Sequence, residues 1–90
     1  MMSKGDELLD FPCDYMFKAV GPAAIDEQFQ QRVIAAVRRV VDVPVDGVKL
    51  RESSGKAYLA VTVLVRLVNR DQLERIYAEL RGLEGLKFLL

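Results

Sequence analysis

Five cations, Lys18, Lys49, Arg51, Arg66 and Lys87, fall within segments of strand-like alternation and share one phase of it. Residues in one phase project from one side of a sheet. Ammonium and guanidinium groups gathered there have one evident chemistry, which is to hold something anionic: a phosphate, a carboxylate or the acidic surface of another protein. The plain alternative is a solvated face whose long aliphatic stems cover apolar neighbours and discourage edge pairing. Acid–base catalysis has little to draw on. The chain has no histidine, the usual general base near neutral pH and the commonest transition-metal ligand. Cys13, beside Pro12, has no histidine partner and reads as a small half-buried apolar residue. Asp26/Glu27 and Asp71/Glu74 read as helix-start charges that match the helix dipole. No glycine-rich phosphate loop and no calcium or zinc ligand spacing is present. The expectation is a non-enzymatic domain with no metal and no cofactor.

Ninety residues suit one modest core, and 51% hydrophobic with 29% charged residues fits a packed globule. Thirteen basic and thirteen acidic residues give a net charge of zero, so composition lends no bulk attraction to nucleic acid or to a membrane. A single cysteine excludes an intramolecular disulfide. Residues 1–9 read as a polar lead-in, frayed or loosely docked, ahead of a single domain over 10–90. Asp6, Glu7 and Asp10 without an apolar run resemble neither a signal peptide nor a membrane anchor, and the expected location is cytoplasmic.

Six elements follow from the periodicities. Asp14 to Val20 alternates as a strand that Gly21-Pro22 ends. Ile25, Phe29, Val33, Val37 and Val41 then recur at helical spacing, with Asp26 and Glu27 in the first turn, until Asp42-Val43-Pro44 stops the helix. Val48 to Glu52 is a second strand, and Ser53-Ser54-Gly55-Lys56 turns it into a long third strand, Ala57 to Val68. Asn69 caps a second helix, with Gln72 three residues on, Leu73, Ile76, Tyr77 and Leu80 as its stripe and Gly82 as its stop. Leu86 to Leu90 is the fourth strand. The order βαββαβ is α+β and ferredoxin-like: a two-layer sandwich with an antiparallel four-stranded sheet in the order 4-1-3-2 and both helices on one face.

The alternation also assigns the faces. Tyr15, Phe17, Ala19, Val48, Leu50, Leu59, Val61, Val63 and Phe88 should point at the helices. The open side should carry Met16, Lys18, Val20, Lys49, Arg51, Tyr58, Ala60, Thr62, Leu64, Arg66, Lys87 and Leu89, with no carboxylate. Lys18, Lys49, Arg51, Tyr58, Arg66 and Lys87 are therefore the candidate partner-binding face. The interspersed apolar residues also suit a homodimer formed across this face or along an edge strand. RNA-recognition domains share the topology but stack bases on outward aromatics, and here Tyr58 alone is expected outward, so nucleic acid is a poor fit.

The opening Glu7-Leu8-Leu9-Asp10-Phe11-Pro12, followed by Phe17-Lys18-Ala19-Val20-Gly21, resembles the small bacterial YbeD-like proteins, as do Ser53 to Tyr58, Val61 to Val63, Gln72 to Leu80 and Lys87 to Leu90. The resemblance implies a ferredoxin-like fold similar to the regulatory ACT domains, which bind small molecules such as amino acids at subunit interfaces. The family itself carries no established activity. In ACT domains the ligand sits near the first strand-to-helix turn, which maps here onto Gly21, Pro22, Ala23 and Ile25. The usual second glycine is replaced by Ala23, Ala24 and Ile25, and Asp26 sets a negative charge where a ligand carboxylate would dock. Two functions stand side by side: a regulatory or adaptor domain working by protein–protein contact, and an ACT-like sensor of a small anionic metabolite, with or without a dimer interface.

Overall fold

The uninterrupted alternation of the third strand sets the architecture. In the computed structural model it forms β3 (Tyr58–Leu67), with Val61, Val63, Val65 and Leu67 buried and Tyr58, Leu64 and Arg66 exposed. The structure describes residues 10–55 and 57–90, with Ile25 by its backbone alone. The expected lead-in over 1–9 and Lys56 of the hairpin turn lie outside the described residues. β1 (Cys13–Pro22) and β2 (Val48–Glu52) pair antiparallel to either side of β3, and the two-residue β4 (Phe88–Leu89) pairs antiparallel with β1. The sheet order is β2-β3-β1-β4, the ferredoxin-like order that the element sequence predicts.

Helices α1 (Phe29–Arg38) and α2 (Arg70–Arg81) lie together over β1 and β3. Between the layers sit Phe17 and Ala19 of β1, four residues of β3, Phe29, Val33, Ala36 and Val37 of α1, and Leu73, Ile76 and Leu80 of α2. Among the described residues, fourteen buried apolar residues and no buried charged or polar residue make this a dry core. Burying a Leu, Ile, Val or Phe side chain contributes about 1.5–3 kcal/mol, and this layer supplies most of the drive to fold. α2 begins as its sequence predicts: the Gln72 N–H donates to Asn69 Oδ1 at 2.9 Å, and the Val68 N–H donates to Gln72 Oε1 at 2.8 Å.

α1 departs from expectation. It starts at Phe29, not Ile25. Ile25–Glu27 forms a separate 3-10 turn, and Gln28 follows in the left-handed region at φ 52°. Asp26 and Glu27 therefore stand outside the first turn of α1, which has no side-chain cap. A left-handed residue other than glycine costs on the order of 1 kcal/mol and persists where packing demands it. The demand comes from Phe29. A Cβ built on Gly21 would run into the Phe29 ring, which is 1% exposed, so ring and glycine occupy one site. Gly21, expected as a turn residue, is instead a strand position that keeps room for the helix.

The edges carry two further corrections. Leu50 has the phase of the helix side, opposite Val61, yet is 48% exposed because α1 and α2 cover β1 and β3 and leave edge strand β2 bare. In β4 the phase is the reverse of that expected: Leu89 lies opposite Ala19 and packs on the core, while Phe88 lies opposite Val20 and is 61% exposed. A turn over Leu83–Leu86 and Gly85 at φ 86° feed the strand in, and the Lys87 N–H donates to the Val20 carbonyl at 2.7 Å. With register set there, a one-residue offset moves every side chain to the other face.

Gly21→Val should destabilise the protein by about 2–4 kcal/mol by driving Phe29 from its seat. Combined with Phe29→Ala it should cost clearly less than the sum of the two single changes. Urea denaturation of the four-member set measures this coupling, and additivity would refute the shared site.

Candidate functional site

Both helices cover one side of the sheet, so the other side is bare, and the strand register arranges it in rows. Lys49, Thr62 and Lys18 lie opposite one another across β2, β3 and β1. The next row is Arg51, Ala60, Val20 and Phe88 across all four strands. With neighbouring strands about 4.8 Å apart, Lys49 and Lys18 stand roughly 10 Å apart with the Thr62 hydroxyl between them. Neither lysine nor Arg51 has an acidic partner among the described residues, and all three are exposed. Their solvated charges are free to pair with an incoming anion.

Arg66 is less free. Asp14 shares the outward phase of Met16 and Lys18, lies opposite Arg66, and accepts from its Nη1 at 3.4 Å. The expected absence of carboxylates is thus corrected at one position, because the alternation of β1 extends outward to include Asp14. Both side chains are more than 60% exposed, and a pair of this kind contributes little to stability. Lys87 comes to the same side by a different route. Its ammonium lies 5.5 Å from the centroid of the Tyr58 ring, a cation–π contact that sequence reading had not anticipated.

Apolar groups fill the spaces between these charges. Met16 lies opposite Leu64, and they are 60% and 45% exposed. Phe88 and Tyr58 are also exposed, at 61% and 41%. A shallow cleft of about 130 Å³ opens near the β2–β3 turn, lined by Val20, Ala60, Tyr58, Arg51, Glu52 and Ser53. Val20 and Ala60 give it apolar lining, and Arg51 and Glu52 bring one charge of each sign. The face therefore brings together all six residues singled out for partner binding and adds Phe88, which sequence reasoning had turned inward. Only the register of β4 could have revealed it.

The first strand-to-helix turn is built differently from an open ligand cradle. Pro22 and Ala23 line a cavity of about 220 Å³ with Ala24, Gln28, Phe29 and Leu59, and none of its lining residues is charged. Gly21 is buried beneath the Phe29 ring. The Ala23 N–H donates to the Ala57 carbonyl at 3.2 Å. Ile25 lies in the adjoining 3-10 turn. A larger hollow of about 550 Å³ between α1 and α2 has both its arginines already engaged. Arg39 meets Glu79 at 2.8 Å, and Arg32 donates to the carbonyls of Glu27 and Glu84.

Among the described residues no three His, Cys, Asp or Glu side chains are grouped to hold a metal ion. Cys13 is a half-buried free thiol, and no helix is long and apolar enough to cross a membrane. The one resolved pKa displacement lies on the helix side: burial, then the 2.9 Å hydrogen bond with the Tyr15 hydroxyl, push Tyr77 up to about 12. The pair packs edge to face with ring centroids 6.3 Å apart, and Phe17 completes the cluster 5.0 Å from Tyr77. The folded state holds the neutral phenol longer than the unfolded chain, which ionises near 10. This stabilisation is complete below about pH 10 and is lost as pH rises from 10 towards 12. In Tyr77→Phe the fall of the urea midpoint across that window should be shallower than in the wild type; an unchanged slope would show that Tyr77 is not its source.

The comparisons with known proteins agree with this architecture. The family described as "Protein of unknown function (DUF493)" matches residues 6–90. A UPF0250 protein of Shewanella sp. (strain ANA-3) is 39% identical over 89 residues, covering 98% of this chain and 97% of that protein. One from Shewanella putrefaciens (strain CN-32) is 37% identical with the same coverage. The solution structure of protein HP0495 from H. pylori superposes with a TM-score of 0.66 at 13% identity, over 91% of this chain and 85% of that one, and so shares the fold. The resemblance carried by the Leu-Leu-Asp-Phe-Pro opening and the strand that follows it is thereby upheld over nearly the whole chain, which belongs to the DUF493 family of bacterial UPF0250 proteins.

Proposed function

We propose that this chain is a non-catalytic regulatory or adaptor domain of the bacterial cytoplasm, acting by protein–protein contact through the open face of its sheet. One observation carries the reading: a sheet face that no layer covers among the described residues, on which exposed Met16, Leu64 and Phe88 lie among Lys18, Lys49 and Arg51, which have no acidic partner among those residues. Isolated apolar residues on a surface are ordinary, whereas rows of them interleaved with cations on one sheet face suit an interaction surface. The face measures roughly 19 Å across four strands and 34 Å along β1 and β3, a size that suits a transient contact more than an obligate one. The sequence has no histidine and so lacks the usual general base near neutral pH.

The sensor reading places a small anionic metabolite at Gly21, Pro22, Ala23 and Ile25, at a homodimer interface. The adjoining 220 Å³ cavity supports it. The Phe29 ring over Gly21 weighs against it, because the close backbone approach that a glycine permits is already used. Native mass spectrometry of the freshly purified protein, beside the triple variant Lys49→Glu, Arg51→Glu and Arg66→Glu, separates the two. The adaptor reading expects a protein partner retained by the wild type and lost from the triple variant, with melting temperature unchanged. A small-molecule adduct that survives in the triple variant would transfer the function to the Gly21 turn.

A further inference from the structure

We infer that the occupant of the open face is an acidic amphipathic segment of another protein, whose apolar side chains rest on the sheet and whose carboxylates reach the flanking cations. The inference rests on the protein-contact reading and names the chemistry of the partner. Charge complementarity is its first support. The whole chain is neutral, yet its outward sheet positions hold Lys18, Lys49, Arg51 and Arg66, with the Lys87 ammonium reaching Tyr58, against the one carboxylate of Asp14. Asp14 is already taken by Arg66. Four cations therefore remain for groups brought by the partner.

The layout supplies the second support. Charge and apolar surface alternate by row: Met16–Leu64, then Lys18–Thr62–Lys49, then Val20–Ala60–Phe88 with Arg51 at its end. Successive outward rows lie about 6.8 Å apart. A partner that is uniformly acidic leaves the apolar rows in water, and one that is uniformly apolar strips water from the lysines without pairing them. A segment with both fits both. The cleft lined by Val20, Ala60, Tyr58, Arg51, Glu52 and Ser53 can take one such side chain, its methylenes over Val20 and Ala60 and its carboxylate on the Arg51 guanidinium, with Glu52 as the one opposing charge in the lining.

Two other occupants fit less well. A second copy docked face to face would set cations against cations, with two Asp14 carboxylates to offset them. A single-stranded nucleic acid would satisfy the cations but needs aromatic faces for its bases, and Lys87 already lies against the Tyr58 ring.

The test is two-dimensional NMR of the labelled full chain titrated with three probes. The first is a synthetic amphipathic peptide of about fifteen residues with a leucine stripe flanked by glutamates; the second is the same peptide with lysines in place of the glutamates. The third is a ten-nucleotide thymidine strand. The expected result is saturable shifts at Lys18, Lys49, Ala60 and Thr62 with the glutamate peptide alone. Lys49→Glu combined with Arg51→Glu should weaken binding about tenfold, and rising salt should weaken it further. Equal binding of the two peptides at this face would overturn the acidic specificity while leaving the protein-contact reading intact. Preference for the thymidine strand would overturn both, as would peptide shifts confined to the helices. A glutamate peptide that moves no amide overturns the inference, and capture by the wild type in the preceding experiment then decides the broader reading. Should the double variant misfold, Lys18→Gln offers a milder change, for which a smaller weakening is expected.

Discussion

The Phe29 ring seated over Gly21 is the contact on which the rest of this fold depends. It joins the first residue of α1 to the far end of β1, and it requires that β1 carry no side chain at that point. The left-handed Gln28 and the short 3-10 turn before it follow from the same requirement, because the chain must change direction between Pro22 and Phe29 for the ring to arrive above the strand. Once α1 is fastened there, Val33, Ala36 and Val37 fall in line over Phe17, Ala19 and β3, and α2 closes the remaining space with Leu73, Ile76 and Leu80. Tight packing of this kind tolerates little change in volume, so the helix layer is fixed in place and the sheet beneath it presents a rigid surface.

A consequence of that packing is electrical. The helix layer uses its acids locally, with Glu79 on Arg39 and Glu74 on Arg70, and the charged outward positions of the sheet are, Asp14 aside, lysine and arginine. Net charge therefore describes this molecule poorly. A neutral total is compatible with a surface of two unlike sides, and the field near a partner is set by the side it meets. Salt screens such exposed charges beyond about 8–10 Å, so the asymmetry is felt at short range.

Much of the fold was legible because β3 is long and strictly alternating, and because Asn69, Gln72 and Gly82 mark both ends of α2. The candidate face was legible for the same reason: Lys18, Lys49, Arg51, Tyr58 and Arg66 share a phase with their strands. Legibility failed where local pattern gave way to packing. Ile25 and Phe29 stand four residues apart and imitate one helix, and only the space above Gly21 separates them. Phe88, Leu89 and Leu90 are all apolar, so alternation cannot choose a phase for β4, and a turn held by Gly85 chooses it. Leu50 matches the core side of its strand, but the helices do not extend over it.

Strand order gives the open face a folding history. β1, first in the chain, lies between β3 and β4, whereas β2 and β3 join through a short hairpin. The hairpin and α2 are local and close quickly; seating β1 against β3 joins residues far apart in the chain and carries the larger loop-closure cost. Lys18 and Val20 lie beside Thr62 and Ala60 only where that pairing is made. A chain with the hairpin alone thus displays Lys49 and Arg51 without the rows that the long-range pairing of β1 adds.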